Sequence, residues 1–148
     1  VNVIPEWDKD GNLPVGIHHA SLQEALDRFG TGAHRRTLGH RLERVCGLAF
    51  ATDQVRRLIV FGSFVTSKAE PNDIDVFLLM EDSFDLNEAT GETRILFEHG
   101  SAQSHFGSSV FWLRRSAALG GEERAIEDWQ IRRDGGRRGI IEIIRRPT

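Results

Sequence analysis

Two short segments carry the residue types from which phosphate chemistry is built. Val60-Phe61-Gly62-Ser63 ends an apolar run with a glycine and a hydroxyl, and after a nine-residue spacer stands Asp73-Ile74-Asp75. A glycine at a strand end lets backbone N–H groups approach an anion closely, and the adjacent serine adds a hydroxyl donor. Aspartates at i and i+2 of one strand project from the same face, and hard carboxylate oxygens are the ligands that magnesium prefers. Two such carboxylates can share a pair of ions about 3.5 to 4 Å apart, the arrangement used for in-line displacement at phosphorus. Gly62 and Ser63 are therefore the candidate phosphate-binding residues, and Asp73 and Asp75 the candidate metal-binding and catalytic ones. Lys68, in the segment after the turn, is placed either to reach a nucleotide phosphate or to stand as an exposed surface lysine. The dipeptide Gly-Ser alone carries nothing, since Gly100-Ser101 and Gly107-Ser108 have no Asp-x-Asp after them.

These side chains meet only if the flanking segments are strands that turn back on each other. Val55 to Phe61 reads as a strand running into the Gly62 turn, and Asp73 to Met80 as a second strand. The two-residue period puts Ile74, Val76, Leu78 and Met80 on one side, and Asp73, Asp75, Phe77 and Leu79 on the other. Ser63 to Glu70 leaves room for a turn or two of helix, closed by Pro71-Asn72. Upstream, Ser21 and Glu24 have capping-box spacing and predict a helix over 21–29 that Gly30 stops. A longer helix over 33–50 follows from Leu38, Leu42, Val45, Cys46, Ala49 and Phe50, with arginines on its other side. Downstream the spacing predicts a helix over 86–98 opened by Asp85 and Glu88, a strand over 109–113, and a helix or extended turn over 122–130. A final strand over 139–144 follows the turn signal Asp134-Gly135-Gly136. Helices alternating with strands predict an α/β (α+β) domain over 21–148, a small mixed sheet flanked by helices. The first 20 residues, with Pro5, Gly11, Pro14 and Gly16, read as an irregular arm laid on the body.

Phe61-Gly62-Ser63 and Asp73-Ile74-Asp75-Val76 match, position for position, the signature of the polymerase-β-type nucleotidyltransferase superfamily, which the chain resembles. Leu13-Pro14-Val15-Gly16-Ile17-His18, Arg28-Phe29-Gly30 and Gly62 to Lys68 also resemble a group of uncharacterised bacterial proteins assigned to that superfamily. The resemblance implies a minimal nucleotidyltransferase fold and a Mg2+-dependent transfer of a nucleoside monophosphate from a nucleoside triphosphate to an acceptor hydroxyl, on a protein or an RNA. The alternative is a relative that has lost turnover and serves as a binding partner, as in a toxin–antitoxin or phage-defence pair. Active members add a third carboxylate from a neighbouring strand, yet Ser109 to Leu113 contains no acid. Glu142, flanked on its own side by Ile140 and Ile144, is the candidate third catalytic acid; the competing expectation is a salt bridge to a nearby arginine.

The remaining signals are weaker. Asp8, Asp10 and Asn12 imitate a calcium loop, but Leu13 and His19 stand where its glycine and glutamate belong, so a turn is expected. Gly30 and Gly32 begin a dinucleotide-type G-x-G, but Arg35 takes the place of its third glycine. The six histidines lack zinc spacing, and no G-x-S-x-G surrounds a serine. Arginines 132, 133, 137, 138, 145 and 146 form a cluster that reads first as a solvated hairpin and second as a grip for an anionic partner. A net charge of −3 excludes the wholly basic surface of a dedicated duplex binder. The single cysteine, Cys46, excludes an intrachain disulfide and sits on an apolar helix face. No apolar run approaches the roughly 18 residues that span a bilayer, and these two features together predict a cytoplasmic protein without a membrane partner.

Overall fold

Side-chain alternation along one central strand divides the molecule into two faces. The computed structural model describes residues 4–145. In chain order the strands are β1 (Ile17–Ala20), β2 (Val55–Phe61), β3 (Ile74–Met80), β4 (Ser108–Arg114) and β5 (Ile140–Ile143). The helices are α1 (Leu22–Phe29), α2 (Ala33–Ala51), α3 (Gly91–Leu96), α4 (His99–Phe106) and α5 (Glu122–Glu127). The five strands form one mixed sheet in the order β1-β5-β2-β3-β4, with β2 antiparallel to both neighbours and the outer pairs parallel. Ile74, Val76, Leu78 and Met80 enter the larger core, together with Phe29, Leu38, Leu42, Leu96 and Phe106 from α1 to α4. Phe77 and Leu79 enter the second core with Ile59, Ile140 and Ile126 of α5. The predicted parity of β3 is thus the parity by which the sheet packs.

The capping box of α1 forms as expected: Ser21 Oγ accepts from Glu24 N at 3.1 Å, and Glu24 Oε1 accepts from Ser21 N at 2.8 Å. The sequence expectation differs at two places. The single helix over 86–98 is replaced by a 3-10 turn (Leu86–Glu88), then α3 and α4. Asp85 caps only Asn87 N, and Gly91 takes φ +58°, so the chain changes direction there. Helix α4 escaped notice because only Ala102 and Phe106 of its eight residues are buried, too short a pattern to show a period. The N-terminal arm also ends in regular structure: residues 17–20 are an edge strand paired in parallel with β5. Gly139 allows this close approach, since a Cβ there would overlap the Pro14 carbonyl oxygen. Among the described residues no helix is long and apolar enough to cross a membrane. Cys46 is free and buried on α2, where burial pushes its thiol up to about 12. Arg146 of the basic cluster lies outside the described residues.

Candidate active site

Strand β2 ends at Phe61, and Gly62 takes φ +81°, ψ −165°, a conformation essentially reserved to glycine. The chain then enters a 3-10 turn (Ser63–Val65), in which the Ser63 carbonyl accepts from Thr66 N at 3.1 Å and Thr66 Oγ1 at 2.7 Å. Antiparallel pairing sets Phe61 opposite Asp75, which brings the Asp75 carboxylate against Gly62; a Cβ on Gly62 would overlap Asp75 Oδ2. The turn is held from behind by Arg35 of α2. Its guanidinium donates to the carbonyls of Phe29 (3.0 Å), Phe64 (2.8 Å), Thr66 (2.6 Å) and Lys68 (2.5 Å). Lys68 lies beyond the 3-10 turn with its side chain exposed, outside the cleft that Gly62 and Asp75 line.

That cleft has a volume of about 450 Å³. Gly62 and Asp75 form one wall, the rings of Phe61, Phe111 and Trp129 a second, and Arg132, Arg133 and Arg138 with Asp134 a third; Ser63 and Asp73 flank this cleft in sequence but are not among its lining residues. Trp129 joins the rings into one cluster, with centroids 4.5 Å from Phe61 and 5.2 Å from Phe111. The arginines belong to a hairpin closed by the Ile131↔Arg137 bridge, which is the expected turn at Asp134 to Gly136. Gln130 at its base is buried, and its Oε1 accepts from Gly16 N at 2.6 Å, tying the hairpin to the N-terminal arm.

Asp75 is the electrostatic centre of the cleft. Burial first, then the charge of Asp73, push its carboxyl up from 3.8 to about 7, while Arg138 and Arg133 pull the other way. Asp73 immediately precedes β3 and is half-buried. A group that resists ionising beside a second carboxylate is suited to a cation, because bound positive charge relieves both the desolvation and the repulsion. Among the described residues no group of three or more His, Cys, Asp or Glu side chains is gathered to hold a metal ion. Magnesium is commonly bound by one or two carboxylates together with substrate phosphates, and Asp75 with Asp73 close enough to act on it offers donors of that kind. Removing Arg138 removes the larger of the two opposing charges. In Arg138→Ala, titration of the Asp75 carboxyl followed by 13C NMR is expected to move above its wild-type midpoint of about 7; an unmoved midpoint would mean that this guanidinium does not act on the carboxylate.

Glu142 lies elsewhere. It projects from the same sheet face as Asp75, but its partner on β2 is Ile59, two residues down the strand from Phe61. Its carboxylate accepts from Arg57 Nη2 at 2.6 Å and Nε at 3.1 Å, and His19 Nε2 lies 3.3 Å away. The salt bridge weighed against a catalytic role is therefore what forms. Burial alone would lower the Arg57 pKa, but hydrogen bonds to Glu142 and Glu123 outweigh it and hold the guanidinium above its ordinary value. Arg57→Ala is expected to cost about 2 to 4 kcal/mol in chemical denaturation by leaving Glu142 without its main partner. A loss below about 0.5 kcal/mol would show the pair to be solvent-screened. On β4 the residue paired with Asp75 is Ser109, whose Oγ accepts from Gln103 Nε2 at 3.3 Å, so the neighbouring strand offers a hydroxyl where an acid would stand.

Fold and site together define a small α/β protein with a cleft that sets Asp75 beneath an arginine hairpin. The model of a family of unknown function (DUF6932) matches residues 5–144, and the chain belongs to that family. No curated protein and no solved structure matches it.

Proposed function

We propose that the protein is a magnesium-dependent nucleotidyltransferase, moving a nucleoside monophosphate from a nucleoside triphosphate to an acceptor hydroxyl on a protein or RNA. The observation that carries this function is the approach of Asp75 to Gly62 in a cleft whose other walls are aromatic and, apart from Asp134 beside Arg132, cationic. A ligand complementary to all three walls is anionic, metal-associated and flat at one end, which describes a nucleotide better than pyrophosphate or a sugar phosphate. Bound by Asp73 and Asp75, the ion would neutralise charge on the leaving pyrophosphate. Gly62 and Ser63 would hold the β and γ phosphates through backbone N–H groups and the hydroxyl. Arg133 and Arg138, which have no carboxylate partner among the described residues, would meet phosphate oxygens from the far wall. The acceptor oxygen bonds the α-phosphorus as the bond to the bridging oxygen breaks, and pyrophosphate leaves with that electron pair. With Asp75 engaged by the ion, the acceptor's proton passes to solvent water.

One observation favours a second function, a nucleotide-binding protein without turnover that acts through a partner protein. Ser109 stands beside Asp75 on β4, and Glu142 is engaged by Arg57. Incubating the protein with cell lysate and each α-labelled nucleoside triphosphate separates the two. Label transferred to a macromolecule supports the enzyme; nucleotide bound without transfer, with a co-purifying protein, supports the binding role. Absence of nucleotide binding overturns both.

A further inference from the structure

Half-buried guanidinium groups are costly unless something accepts their hydrogen bonds, and the partners of these groups locate the sites where something is missing. Arg28 donates to the Ile4 and Pro5 carbonyls, Arg35 to four carbonyls, Arg57 to three carboxylates, Arg94 to Glu98 and the Leu86 carbonyl, and Arg114 to the Phe84 carbonyl. Among the described residues two half-buried arginines have no such partner, Arg138 and Arg41. Arg138 faces the Asp75 cleft. Arg41 faces a different cavity of about 470 Å³ between α2 and α4. These helices pack on the Ile74 and Val76 side of the sheet, whereas Asp75 projects from the other side, so the sheet separates the two cavities.

We propose that this second cavity is a phosphate-binding site, with Arg41 at its centre and His40, Arg44 and His105 around it. The Arg41 guanidinium lies over Gly107, whose φ of +62° and missing side chain make the room; a Cβ there would come within 2.9 Å of Arg41 Cζ. Glu92 does not neutralise Arg41, because its carboxylate is engaged by Arg44 and by His105 Nε2 at 2.9 Å. It instead fixes those two groups at the rim, where the Arg44 guanidinium lies 5.9 Å from the Phe106 ring centre and the His105 ring meets the same ring edge-on at 4.7 Å. The result is a fixed cationic cavity with one guanidinium left open for a multidentate oxyanion, for which arginine's planar fork is suited. A phosphate group has enough oxygens to meet Arg41 and the rim together. The site is independent of any activity in the Asp75 cleft.

Titrating 15N-labelled protein with inorganic phosphate, and reading the Arg41 side-chain N–H and the His40 and His105 ring signals, tests it. Saturable shifts of these signals are expected, with affinity falling about ten-fold or more in Arg41→Gln. Ser104→Asp, an exposed change on α4 that leaves Arg41 in place, is expected to weaken binding similarly by bringing a carboxylate into the cavity. Shifts confined to Arg132, Arg133 and Arg138, shifts that do not saturate, or affinities unchanged in both variants would overturn the site. A second titration with an eight-nucleotide oligouridylate distinguishes the source of the phosphate. Affinity about ten-fold or more above that of inorganic phosphate, with steep salt dependence and the same variant sensitivity, assigns the site to a nucleic-acid backbone. Affinity no tighter than phosphate assigns it to a small phosphorylated ligand.

Discussion

Asp75→Asn is expected to make the free protein more stable while removing its affinity for a magnesium-bound nucleotide. The carboxyl is held near 7 by burial and by Asp73, against 3.8 in the unfolded chain. Between those values the folded state holds a proton that the unfolded state has released, so unfolding free energy falls as pH rises from about 4 to 7 and stays reduced above that window. At full ionisation the penalty has an upper limit of roughly 4 kcal/mol. Asparagine keeps the shape and removes the charge. The variant should therefore unfold at a higher temperature than wild type at pH 8, by an amount worth about 1 to 3 kcal/mol, and the difference should vanish near pH 4. The same substitution removes half of the donor pair, so affinity for a Mg2+-nucleotide should fall roughly 100-fold or more. Paired thermal melts at pH 5 and pH 8, with and without Mg2+ and nucleotide, measure both effects. A variant that is less stable at pH 8 and binds as tightly as wild type would remove Asp75 from the site.

Gly62→Ala tests the other half of the geometry. The backbone there is at φ +81°, ψ −165°, and the added methyl would overlap Asp75 Oδ2 and press on its Cγ. Strain in this region costs about 1 to 3 kcal/mol by itself, and relieving it moves either the turn or the carboxylate. Loss of about 2 to 4 kcal/mol of stability is expected, with nucleotide affinity reduced to the level of the Asp75 variant. Gly47→Ala is the control for the chemical change alone. Gly47 lies exposed within α2 with open space where its Cβ would go, so alanine should stabilise by about 0.5 to 1 kcal/mol. Equal and small effects at both positions would mean that the turn is loose and that its approach to Asp75 is not maintained in solution.

The parts of the site nearest in sequence were legible in the sequence itself, because strand parity and turn chemistry are local. Strand β2 occupies its predicted residues, β3 starts one residue later than expected, and the Phe77 and Leu79 side of β3 is the side on which Asp75 lies. Phe61 and Phe111 form a wall of the cleft that local pattern does not mark, since strand alternation places Phe77 on the face of Asp75 but only pairing sets Phe61 and Phe111 beside these two. The capping box of α1 also rests on residues three apart. Glu142 shows the limit of such local signals. Its isoleucine neighbours marked it as a carboxylate needing a partner, but the partner is Arg57, 85 positions away, and only sheet registration selects it.

What the amino-acid sequence determined by itself was a pair of strands, the glycine turn between them and the side on which two aspartates project, since backbone sterics and a two-residue period suffice for these. Tertiary structure decided what faces those aspartates. The arginine hairpin is folded over the cleft as Gln130 Oε1 accepts from Gly16 N and the Leu13 carbonyl accepts from Gly139 N, contacts between opposite ends of the chain that no local propensity encodes. The same packing of distant segments leaves Arg41 and Arg138 open while satisfying every other half-buried arginine described, because which acceptors come within reach is set only when α2, α4 and the sheet are assembled.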